Sequence, residues 1–163
     1  MAHRYLIALG SNQRHPVHGS PRRVVAAAIE ALDGQGLTLL AESGVIDSVP
    51  VGPSLRRYAN AAALIEARLD PEDLLDRLHT IEDLFGRCRM GQAWQSRVLD
   101  LDIALWSGGA YAAPGLTIPH VHLRDRAFVL RPALALTLDW RDPISGLTLR
   151  HLHSRLTRPR PLP

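Results

Sequence analysis

Apolar and polar positions along this chain repeat with a period of two in some stretches and close to 3.6 in others, and the changes of period divide it into elements. Arg4-Tyr5-Leu6-Ile7-Ala8-Leu9-Gly10 is a short apolar run closed by the turn-forming Gly10-Ser11-Asn12, and reads as a buried strand. Ser20-Pro21 predicts a helix start, with serine at the N-cap and proline at the first helical position. Its stripe is Val24, Val25, Ala28, Ile29 and Leu32, and Gly34 or Gly36 stops it. Leu37 to Ile46 reads as a second strand, and Asp47 to Pro53, punctuated by two prolines and a glycine, as a loop. Tyr58 to Leu69 is a long strand with Asn60 near its start. Asp70-Pro71-Glu72-Asp73 then repeats the helix-start signal, with acids in the first turn where the helix dipole favours them. The stripe of this second helix is Leu74, Leu75, Leu78, Ile81 and Phe85, and Gly86 ends it.

Strict alternation returns in Val98 to Trp106 and places Leu99, Leu101, Ile103 and Leu105 on one face, Asp100 and Asp102 on the other. Strand, helix, strand thus occurs twice. The expected fold is α+β, a ferredoxin-like βαββαβ sheet with its two helices on one face. Beyond it, Arg126 to Leu136 is expected to form a third helix despite Pro132, and Leu147 to Leu156 a last amphipathic segment after a turn at Asp142-Pro143 and Gly146. The chain reads as one domain over 1–163, with 157–163 a frayed tail.

Two carboxylates spaced about 7 Å apart on one strand face repel unless a cation lies between them. Magnesium takes one or two carboxylates and completes its shell with water and phosphate oxygens, and two-metal sites hold their ions about 4 Å apart. A solvated edge strand shows the same alternation, so from these residues alone both readings stay open. Composition narrows the chemistry. All 19 basic residues other than histidine are arginine. The absence of lysine excludes a Schiff-base mechanism, a P-loop and a protein-kinase site. The single Cys88 excludes an internal disulfide and fits a reducing compartment. No apolar run is long enough for a membrane span, and Met1 to Tyr5 enters a strand too soon for a signal peptide, so a cytoplasmic protein without membrane partners is expected.

The residues just before the acidic strand favour the cation reading. Gly86 to Arg97 carries Arg87, Arg89, Arg97 and Trp94 in a loop. Arginine suits bidentate phosphate recognition and tryptophan can stack on a heterocycle, so beside a carboxylate pair this loop fits metal-assisted phosphoryl transfer. Surface pairing of these arginines with Glu82 or Asp83 is the alternative, and such pairs add little.

Gly86-Arg87-Cys88-Arg89, Trp94, Arg97 and Leu99-Asp100-Leu101-Asp102-Ile103 resemble the core motif of the 6-hydroxymethyl-7,8-dihydropterin pyrophosphokinase family of folate biosynthesis. The resemblance extends to Leu9-Gly10-Ser11-Asn12, to Val51-Gly52-Pro53 with Tyr58-Ala59-Asn60-Ala61-Ala62, and to Thr117-Ile118-Pro119-His120 with Arg126 and Phe128. It implies transfer of pyrophosphate from ATP to the pterin hydroxymethyl oxygen, with release of AMP. Asp100 and Asp102 would hold two magnesium ions, and Arg87 and Arg97 would stabilise charge in transfer. Arg89, Trp94, Ile103, Thr117, His120 and Arg126 would bind the nucleotide. Tyr58 and Phe128 would sandwich the pterin, with Asn60 and the Ser48 to Val51 backbone reading its edge. The implied partners are ATP and the dihydropterin, with no nucleic acid. Met90, Ala93, Gln95, Ser96, Ser48, Val49, Gly115 and Val121 depart from the family pattern, chiefly around the arginine loop and the nucleotide. A non-catalytic pterin- or nucleotide-binding paralogue is the rival reading. An RNA-binding module is a weaker one, since its strand aromatics are missing.

Overall fold

The computed structural model describes residues 1–48, 57–86 and 98–161. The main sheet has five strands: β1 (His3–Ser11), β2 (Leu37–Glu42), β3 (Ile46–Ser48), β4 (Tyr58–Ala67) and β5 (Asp100–Trp106). Its order is β2-β4-β1-β5, with β3 also on β4, and every pairing is antiparallel. With β2 and β3 taken as one edge, this is the expected ferredoxin-like arrangement.

The predicted second strand is in fact interrupted. Ser43, buried, turns its hydroxyl onto the Ala62 N–H at 2.8 Å, which uses a ladder donor and ends β2 before β3 resumes at Ile46. Two helices cover one face. In α1 (Pro21–Ala31) the Ser20 hydroxyl accepts from the Arg23 N–H, and in α2 (Pro71–Leu84) the Asp70 carboxylate accepts from the Asp73 N–H at 3.0 Å. Both are the N-caps expected, each contributing about 1 kcal/mol. Their stripes pack with Tyr5, Ile7, Leu9, Ile65, Leu101 and Ile103 into the larger core.

The opposite face carries a second core. Here α3 (Ala127–Leu134) and α4 (Leu149–Thr157) pack Leu130, Ala133, Leu149 and Leu152 onto Leu6, Ala62, Ala104 and Leu105. The molecule therefore has helices on both sides of its sheet. A small hairpin, β6 (Tyr111–Ala113) and β7 (Leu116–Ile118), extends the first core beside β5.

One strand face differs from expectation. Leu6 pairs with Leu105 but Ile7 with Ile103, so Ala104 is an extra residue on β5. The bulge turns the strand over. Leu105 consequently joins the second core rather than sharing the face of Leu101 and Ile103. Pro132 sits inside α3, buried, in its last turn, and the helix stops at Leu134 rather than Leu136. Among the described residues no helix is long and apolar enough to cross a membrane.

Candidate active site

Among the described residues, the second face of the sheet is covered only in part. Toward one end of β1, β4 and β5 the residues facing α3 are Ala8 and Gly10, Asn60, and Asp100 and Asp102, and above them lies a cavity of about 740 Å³. Antiparallel register sets these residues in two rows. Asn60, Gly10 and Asp100 lie opposite one another across β4, β1 and β5, and Ala62, Ala8 and Asp102 form the next row. The β1 residues in these rows, Ala8 and Gly10, carry no side chain larger than a methyl, so the central strand itself leaves a flat floor between the amide on one side and the carboxylates on the other.

On the β4 side, Asn60 is buried and donates from Nδ2 to the Ser48 hydroxyl at 2.7 Å. This fixes which way its amide faces. Tyr58 and Ser48 are paired neighbours on β4 and β3, and both line the cavity. Opposite them, α3 supplies Phe128, over whose ring the Arg126 guanidinium lies at 5.6 Å. Such a cation–π contact orients both side chains at the cavity wall.

On the β5 side, Asp102 has a half-exposed side chain, and the His120 Nε2 stands 3.8 Å from its Oδ1. The His120 N–H donates to the Ala104 carbonyl at 3.1 Å, so the turn that carries His120 is fastened to the bulge of β5. The His122 Nδ1 lies 3.1 Å from the Asp125 carboxylate, and both residues border the cavity. Between His122 and Asp125 in the chain, Arg124 makes a bidentate pair with Asp142, at 2.6 and 2.8 Å. Asp142 is fully buried, which by itself would raise its carboxyl. Arg124, Ser145 and the Ile144 N–H outweigh that and hold it below the usual carboxylate range.

No group of three or more His, Cys, Asp or Glu side chains able to hold a metal occurs among the described residues. Two adjacent hard carboxylates at the mouth of an open cavity still suit magnesium, which leaves most of its shell to water and phosphate oxygens. They suit zinc poorly, because zinc favours a closed set of nitrogen and sulfur donors.

Of the predicted site residues, Asp100, Asp102, His120, Arg126, Ser48, Tyr58, Asn60 and Phe128 all line this one cavity. Ile103 and Thr117 do not. Ile103 is buried in the first core, and Thr117 lines a separate hollow of about 490 Å³ with Tyr111, Val121 and Ile144. Val51, Arg87, Arg89, Trp94 and Arg97 lie outside the described residues. Sequence reasoning missed Ala8, His122 and Asp125 as lining residues. The legible signal for Ala8 and Gly10 was two small residues at alternate positions of a strand whose other face is Tyr5, Ile7 and Leu9.

Comparison with known proteins shows the family. Residues 6–138 match the family model of 7,8-dihydro-6-hydroxymethylpterin-pyrophosphokinase. The chain is 40% identical over 145 residues to the 2-amino-4-hydroxy-6-hydroxymethyldihydropteridine pyrophosphokinase of Pseudomonas aeruginosa, covering 88% of this chain and 86% of that one. It is 39% identical to the enzyme of the same name from Haemophilus influenzae, over 82% and 81% of the two chains. Among solved structures, Plasmodium falciparum HPPK-DHPS superposes with a TM-score of 0.73 at 13% identity, covering 95% of this chain and 44% of that longer one. That likeness bears on the fold, while the sequence matches bear on the family. The chain belongs to the 7,8-dihydro-6-hydroxymethylpterin-pyrophosphokinase family.

Proposed function

We propose that the cavity between the sheet and α3 is where pyrophosphate passes from ATP to the hydroxymethyl group of 6-hydroxymethyl-7,8-dihydropterin, with AMP released, as a step of folate biosynthesis. The observation that supports this most is the row of Asn60, Gly10 and Asp100 across three strands. It sets a hydrogen-bonding amide and a carboxylate pair at opposite sides of one flat floor, as an acceptor ring on one side and a polyphosphate on the other require.

Asn60, oriented by Ser48, reads the polar edge of the pterin, while Tyr58 and Phe128 supply apolar faces for a flat ring. Rejection of other heterocycles follows, because a ligand lacking the matching groups would leave the buried amide unpaired. Asp100 and Asp102 hold two magnesium ions. When bound, these supply positive charge to the phosphate oxygens and lower the cost of bringing an alcohol up to phosphorus. His120 and Arg126 contact the phosphates, and Arg126 is already braced against Phe128. Sequence resemblance assigns Arg87 and Arg97 to charge stabilisation, Arg89 and Trp94 to the nucleotide, and the Val51 backbone to the pterin edge. Sequence resemblance also puts Ile103 and Thr117 near the nucleoside, but the Ile103 side chain is buried in the first core and Thr117 lines the separate hollow, so neither side chain enters this reading of the cavity.

The test is direct. ATP, magnesium and the hydroxymethyl dihydropterin incubated with the protein yield AMP at one equivalent per pterin converted. Asp102→Ala lowers the rate by at least about a hundredfold, the scale of losing a group that stabilises charge in transfer. Tight pterin binding without magnesium-dependent AMP formation would instead establish a binding paralogue.

A further inference from the structure

We infer that Glu82, on α2 and outside the cavity, is a positioning residue that holds the two metal-binding carboxylates in register, an inference that rests on the magnesium reading of Asp100 and Asp102. Leu74, Leu78 and Ile81 make the buried stripe of α2, continued by Phe85 at its C-cap, and Glu82 falls within it, 1% exposed. A carboxylate among leucines is costly unless it is hydrogen-bonded. Its Oε1 accepts the Leu101 N–H at 2.9 Å. Leu101 is the residue between Asp100 and Asp102.

The placement matters because β5 is the edge of the sheet. In an antiparallel ladder alternate residues turn their backbone groups inward and outward. With the Leu101 N–H directed at α2, Asp100 and Asp102 are the residues whose backbone faces Gly10 and Ala8 of β1. The strand is therefore held at both aspartates from inside and between them from outside. Its outer edge is fastened again at the Ala104 carbonyl by the His120 N–H. An edge strand without such a clasp can twist about its own axis, and a rotation of β5 would swing the two carboxylates relative to each other. Glu82 fixes that rotation at the point where it acts on both.

Three variants test this. Glu82→Met keeps the volume and removes the acceptor, Glu82→Asp keeps the charge but withdraws it from Leu101, and Glu82→Gln keeps an acceptor oxygen within reach. Metal affinity is measured by calorimetry with Mn2+ in the presence of a non-hydrolysable ATP analogue, and hydrogen exchange at the Leu101 amide is followed without metal. The expected result is about a tenfold loss of metal affinity in Glu82→Met and Glu82→Asp, the scale of removing a group that orients metal ligands. Faster Leu101 exchange and an unchanged KM for the pterin accompany it, while Glu82→Gln stays close to the parent. Parent-like metal affinity in Glu82→Met or Glu82→Asp, with affinity lost in Asp102→Ala, would overturn the positioning role alone. Unchanged affinity in Asp102→Ala would overturn the metal reading beneath it.

Discussion

Gly10 lacks a side chain where Asn60 needs the space. A β-carbon there would stand 3.2 Å from the Asn60 Oδ1, and Asn60 is tethered to Ser48 on its other side, so it has little room to yield. Gly10→Ala is therefore expected to raise the KM for the pterin about fivefold, ~1 kcal/mol of disturbed hydrogen bonding, with the KM for ATP unchanged. Steady-state kinetics with each substrate varied in turn checks this. Tyr5 illustrates the opposite case, a polar group the fold keeps neutral. Burial, and then the charges of Asp70 and Asp73, push its hydroxyl up to about 12, and it donates to the Leu69 carbonyl at 2.6 Å.

At the scale of elements, the segment between β7 and α3 carries His120, His122 and Arg126, and Arg124 binds it to the loop before α4 through Asp142. The Asp142 carboxyl lies below its unfolded value, so its contribution to stability is fully present above the ordinary carboxylate range and is lost as the pH falls through the depressed value. Asp142→Asn is expected to cost about 2 kcal/mol at neutral pH and to flatten the acid limb of the stability curve, as read by urea unfolding across pH. Both helix starts of the first core were legible in Ser20-Pro21 and Asp70-Pro71, because a cap is a local event. The bulge at Ala104 was not, because it is defined only against Leu6 and Ile7 nearly a hundred residues away. Asp100 and Asp102 announced themselves as acids on an apolar strand, and the resemblance supplied Asn60, Ser48 and Phe128. Glu82 looked like one more surface acid near Asp83; its spacing, four from Leu78 and three from Phe85, sets it on the buried stripe, but the Leu101 N–H that it meets there belongs to a strand whose packing is not legible locally.

Across the whole molecule, the two cores have different tasks. The first, under α1 and α2, contains no residue of the α3 wall, whereas the second anchors the helix that carries Phe128. Leu74→Ala and Leu130→Ala both remove fully buried side chains and are each expected to cost about 2–5 kcal/mol. Thermal unfolding should rank them alike. Kinetics should separate them, with the pterin KM raised only in Leu130→Ala. The row of Asn60, Gly10 and Asp100 has a consequence at this scale too. From β4 to β5 is two strand spacings, about 9.6 Å, a length set by backbone hydrogen bonds rather than by any side chain. On the proposed function, the sheet acts as a ruler laid between ring and phosphate. Substitutions can alter what is bound at either end but not the distance between the ends, so an acceptor with one more methylene in its arm is expected to bind and yet yield almost no AMP.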